Sequence, residues 1–120
     1  MKMAQVTIRT AVFDKEVSFY RDVVGLKTVH ELQEGLLHIV FLSNGEGETC
    51  IEVIDQSDAG KTCNPYLSIG FRRADATRLR QELMQKGYEP TPMESPAPAV
   101  QFFFVKDPAG VTVQFVEGGF

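Results

Sequence analysis

Residues 102–117 read FFFVKDPAGVTVQFVE. Two runs rich in Phe and Val flank Asp107-Pro108-Ala109-Gly110, where Pro108 presets φ and Gly110 tolerates the positive φ that closing a tight turn often needs. The stretch is therefore a β-hairpin. Its second arm alternates, with Val111, Val113 and Phe115 on one face and Thr112, Gln114 and Val116 on the other. One face should be buried against helix while the other lines something more polar, which makes Gln114 a candidate site residue. In the first arm Phe102 and Phe104 are expected to pack under the helices. Phe103 is then left to the open face, where a flat or apolar ligand or a dimer contact would suit it.

Upstream of the hairpin lie a Pro-rich loop, MESPAPA (93–99), and short strand material over 88–91. Before them Asp75 caps a helix running to Lys86 on the stripe Ala76, Leu79 and Leu83, ended by Gly87. A strand over 66–71 sets Leu67, Ile69 and Phe71 against Ser68, Gly70 and Arg72. The polar segment 56–65 is a connector.

The first half runs through the same programme. Residues 4–10, AQVTIRT, alternate: Val6 and Ile8 point one way, Gln5, Thr7 and Arg9 the other. From Phe13 the period changes to a helical one on Phe13, Val17, Tyr20 and Val24, stopped by Gly25. Strands follow over 26–32, 37–43 and 49–54, separated by the Gly35 region and by Asn44-Gly45-Glu46-Gly47. The order is βαβββ twice at an offset of about 62 residues, with Cys50-Ile51-Glu52-Val53 answering Thr112-Val113-Gln114-Phe115. The fold class is α+β, a single domain over 1–120 built from module 1 (about 4–55) and module 2 (about 65–118). Each half alone would bury too little, so the halves, or two chains, must share a core. A ferredoxin-like domain would use the same helices with fewer strands.

The totals limit the function. With 43% hydrophobic and 23% charged residues the chain is an ordinary soluble composition. Its apolar runs fall far short of the ~20 residues a spanning helix needs, so no membrane partner is expected. The start MKMAQVTIRT passes directly into strand alternation without an apolar leader core, and a cytoplasmic location is expected. A net charge of -4 argues against nucleic acid. Arg72, Arg73, Arg78 and Arg80 are interrupted by Asp75 and Glu82 and read as a solvated helix face. Cys50 and Cys63 lack metal-ligand spacing and are expected to be reduced and partly buried.

Two charged residues interrupt strand faces. Glu52 breaks the apolar run Ile51, Val53, Ile54, and a carboxylate on an inward-facing strand position needs a partner, as metal ligand, base or salt bridge. Arg9 shares a strand face with Gln5 and Thr7, and it needs either an anionic ligand or a buried carboxylate such as Glu52. His30 and His38 are isolated histidines on strands, for which structural or surface roles come first. His38 could also project into a cleft and act as a base.

The opening strand QVTIRT, the helix phrase VSFYRDVVGLK, the strand CIEVID and the closing KDPAGVTVQFVE together resemble the glyoxalase/bleomycin-resistance/dioxygenase group, the vicinal oxygen chelate superfamily. The resemblance covers essentially the whole chain. It implies paired βαβββ modules whose mixed sheets curl into an open cleft, commonly completed as a homodimer, and a divalent metal (Ni, Zn, Mn or Fe) held there by His, Gln or Glu. By this resemblance Gln5 and Glu52 fall on metal-ligand positions. Ser68 falls where a His is expected, and Gln114 where the second Glu, the proton-transferring residue of glyoxalase I, would stand. Arg9 resembles the arginine that grips a glutathione carboxylate. One carboxylate, two amides and a hydroxyl hold a transition metal poorly, and an amide takes up no proton near neutral pH. The expectation is a small-molecule binder working without a catalytic metal, with Gln5, Thr7, Arg9, Ser68, Phe103 and Gln114 lining its cleft. The alternative is a metal-dependent lyase or isomerase of the glyoxalase I type, or a related dioxygenase, using Gln5 and Glu52 with His38 or a group of a partner chain.

Overall fold

The computed structural model describes residues 1–61 and 64–119. The expectation for Cys63 falls outside them. The chain divides into two compact units, Met1–Lys61 and Thr62–Phe120.

In the first unit β1 (Gln5–Thr10) leads into α1 (Phe13–Ser18), followed by β2 (Lys27–Glu34), β3 (Leu37–Ser43) and β4 (Cys50–Asp55). The sheet order is β1-β4-β3-β2, with β1 parallel to β4 and the remaining pairs antiparallel. The helix is the crossover that lets the first strand lie parallel to the last. Ile8, Val40, Leu42, Ile51 and Val53 fill the helix-side face and are buried together with Phe13, Val17 and Tyr20.

The helix departs from its expected stripe at its end. α1 continues through a π-helical stretch, Phe19–Val23, in which Val24 N–H donates to Phe19 O at 3.2 Å. The wider turn rotates the buried side by one residue, so Phe19 and Val23 are buried while Val24 is half-exposed. Gly25 then reverses the chain at φ 87°.

In the second unit β5 (Ser68–Arg72), α2 (Ala76–Gln85), β6 (Glu94–Ala97), β7 (Val100–Lys106) and β8 (Thr112–Gly118) form the sheet β5-β8-β7-β6. β5 runs parallel to β8, and β7 is antiparallel to both of its neighbours. The two units thus repeat one topology. α2 behaves as its stripe predicts: Ala76, Leu79 and Leu83 are buried, and the Asp75 side chain accepts from Arg78 N–H at 3.3 Å.

The hairpin closes through Asp107. Its Oδ1 accepts from Ala109 N–H at 3.0 Å and from Val111 N–H at 2.9 Å, and Gly110 adopts φ 93°. Two local expectations fail here. The short strand is at Glu94–Ala97, inside the Pro-rich loop, and not over 88–91. Pro96 is tolerated because β6 is an edge strand, where a missing N–H costs no ladder bond.

Candidate functional site

Alternation decides which side chains of the first unit leave the helix-side face. The partners across the strands place Thr7 beside Glu52, Glu52 beside Phe41, and Phe41 beside His30, so these four form one row over all four strands. Thr7 Oγ1 donates to Glu52 Oε1 at 2.5 Å. The rings of Phe41 and His30 lie 5.7 Å apart, tilted by 46°. The neighbouring row is Arg9, Ile54, Ile39 and Leu32. Gln5 stands beside Cys50 at the start of the two strands, and the Cys50 thiol is free and half-buried.

Glu52 is half-buried and Arg9 exposed. The ion pairs found among the described residues are His38 with Glu31 and Arg78 with Glu82, so Arg9 and Glu52 do not pair with each other. The partner of Glu52 is a neutral hydroxyl.

His38 does not join this row. It lies one alternation away, on the helix side, where its Nε2 meets Glu31 Oε2 at 2.9 Å and its ring lies 4.3 Å from that of Phe13. There it borders a pocket of about 400 Å³ together with Phe13, Asp14, Lys15 and Asp55. The strand parity that buries Val40 and Leu42 also sends His38 to the helix side. His30, for which the sequence puts a structural or surface role first, is exposed and is the histidine on the face of Glu52. Its signal was the pairing register of β2 and β3, which a single strand read alone does not reveal.

In the second unit the open face carries Ser68, Gly70 and Arg72 from β5, Thr112, Gln114 and Val116 from β8, and Phe102 and Phe104 from β7. Gln114 lies between Gly70 and Phe104, and a Cβ added at Gly70 would meet Gln114 Oε1 at 3.5 Å. Phe102 and Phe104 meet edge to face at 5.7 Å. Phe103, expected on the open face, is instead 0% exposed and packs against Phe115 at 5.6 Å. The register requires it: Phe103 is the cross-strand partner of Phe115, which belongs to the buried set with Val113. The aromatic lining of the open face is therefore Phe102 and Phe104. Arg72 turns toward the chain end, since a Cβ at Gly119 would come within 2.8 Å of its Nη1.

The donor chemistry can be tested against a metal. In the first unit the metal-position residues are Gln5 and Glu52, and in the second Ser68 and Gln114. Among the described residues no group of three or more His, Cys, Asp or Glu side chains is placed to hold an ion. Taken unit by unit, a carboxylate already bonded to Thr7 with one amide, or an amide with a hydroxyl, is a poor fit for a transition metal.

The backbone is shared widely. A trypanothione-dependent glyoxalase I of Leishmania major superposes with a TM-score of 0.82 at 20% identity, covering 98% of this chain and 86% of that one. The fosfomycin resistance protein FosX of Listeria monocytogenes gives 0.77 at 12% identity, covering 99% and 94%. An antibiotic-binding protein from a Streptomyces species gives 0.74 at 14% identity, covering 99% and 97%. At these identities the likeness is one of fold. No curated protein sequence matches the chain. The family pattern, by contrast, matches residues 2–115, almost the full length, and with the repeated βαβββ topology it shows that the chain belongs to the Glyoxalase/Bleomycin resistance protein/Dioxygenase superfamily.

Proposed function

We propose that the protein binds a small organic molecule on the open sheet faces of its βαβββ units and does so without a catalytic metal. The observation that carries this reading is the makeup of those faces. Phe41, Ile39, Ile54, Phe102 and Phe104 offer half-exposed apolar and aromatic surface. A few polar groups, Gln5, Thr7, Arg9, Glu52, Ser68 and Gln114, stand among them. Largely apolar surface with a few oriented polar groups is what small-molecule sites consist of. A Gln at position 114 supplies neither a metal-binding carboxylate nor a base. We take the working form to be a cytoplasmic homodimer.

The second reading is a glyoxalase I-type lyase or a related dioxygenase. Gln5, Glu52 and Arg9 on one face favour it, because the family's enzymes use a Gln or His, a carboxylate and an arginine there. A divalent metal would then be held by Gln5 and Glu52 with further groups. Thermal-shift screening of an aromatic and antibiotic library on the purified chain separates the two readings. A binder gains stability with its ligand, about 2.7 kcal/mol at a hundredfold excess over Kd. Turnover of methylglyoxal with glutathione after nickel or zinc addition, with no stabilising ligand found, would replace the first reading by the second.

A further inference from the structure

The half-buried carboxylate of Glu52 has one neighbour in hydrogen-bond reach, the Thr7 hydroxyl on Oε1, and no cation among the described residues. It sits on β4, an inner strand of its sheet, with the Phe41 and His30 rings next in the same row. The other charged residues on this face, Arg9 on β1 and Lys27 and Glu34 on β2, stand on the two edge strands and are exposed to solvent. A half-buried charge lacking a counter-ion has more to gain from a ligand than an exposed one.

Building on the binding reading above, we infer that this face selects ligands in which a cationic nitrogen, such as an ammonium or amidinium, is attached to a flat aromatic ring. The nitrogen donates to Glu52 Oε2, whose sister oxygen is held by Thr7. The ring covers Phe41 and His30, whose tilted pair presents an aromatic surface one strand away.

Two probes with the same ring and opposite charge test the inference: 1-naphthylmethylamine and 1-naphthoate, titrated into the full-length ¹⁵N-labelled protein by NMR. The expected result is saturable shifts at the amides of Thr7, His30, Phe41 and Glu52 with the amine, and binding at least about tenfold weaker with the carboxylate. Glu52→Gln keeps the side-chain shape and an acceptor for Thr7, and should weaken the amine about tenfold while binding naphthoate no more weakly than the parent does. Its melting temperature, measured alongside, shows that the variant is folded. If naphthoate binds this face as tightly as the amine, or Glu52→Gln binds the amine as well as the parent does, the charge selection is overturned while the protein remains a binder. If neither probe shifts these amides, the inference is overturned as well, and the broader binding reading rests on the library screen alone.

Discussion

At the scale of single residues, the closing turn of the second unit depends on one buried carboxylate. Asp107-Pro108-Ala109-Gly110 declared a turn because each residue has its own reason to be there. The structure adds that the Asp107 carboxylate, 4% exposed, accepts from two loop N–H groups. Replacing it by Ala leaves those donors without that acceptor, and the cost should be about 2–3 kcal/mol in urea unfolding, whereas Asn, which keeps one oxygen in place, should lose about 1 kcal/mol or less. Equal losses for the two would mean that charge and not acceptor geometry holds the turn. Phe102-Phe103-Phe104 was harder, because three identical side chains carry no internal marker of facing. Only the pairing of Phe103 with Phe115 decides it. The faces of His38 and His30 depend on the same information, since a one-residue change of register exchanges the faces of a strand.

At the scale of elements, helices were legible where their signals are local. Asp75 before the stripe Ala76, Leu79 and Leu83 announces α2. Its other cap is not local: Glu117 Oε1, from the end of β8, accepts from Ala76 N–H at 2.9 Å. No pattern in the vicinity of residue 76 encodes a partner that far along the chain. This bond is shorter than that of Asp75 to Arg78 N–H at 3.3 Å, and Glu117 is half-buried while Asp75 is exposed. Its negative charge also lies at the favourable end of the helix. Glu117→Ala should therefore destabilise by about 1–2 kcal/mol and Asp75→Ala by about 1 kcal/mol or less. Hydrogen exchange at the Ala76 amide provides the check, speeding up in the Glu117 variant and little in the Asp75 variant. The edge strand around Pro96 was unreadable for the opposite reason: proline-rich composition speaks for a loop, and only an edge position makes it acceptable in a sheet.

At the scale of the whole chain, the repeat was the most informative feature, and it survives with its register intact. Thr7 and Glu52 are partners in the first unit as Gly70 and Gln114 are in the second, and Gln5 stands beside Cys50 as Ser68 stands beside Thr112. The correspondence makes a chemical asymmetry visible: the first unit offers an acid and its hydroxyl partner where the second offers an amide lying over a glycine. A resident transition metal needs deprotonated or strongly basic donors from more than one strand, and binding it would stabilise the folded state by the free energy of occupancy. With Glu52 as the sole carboxylate among the four ligand positions, dialysis against EDTA should leave the melting temperature unchanged. Adding nickel, zinc or manganese at about a hundredfold over a micromolar threshold should not raise it by the several degrees that roughly 2.7 kcal/mol would produce in a domain of this size. A rise of that size at one equivalent per chain, abolished by Glu52→Gln, would show that the amides serve as ligands after all and would transfer the protein to the metal-dependent branch of its superfamily.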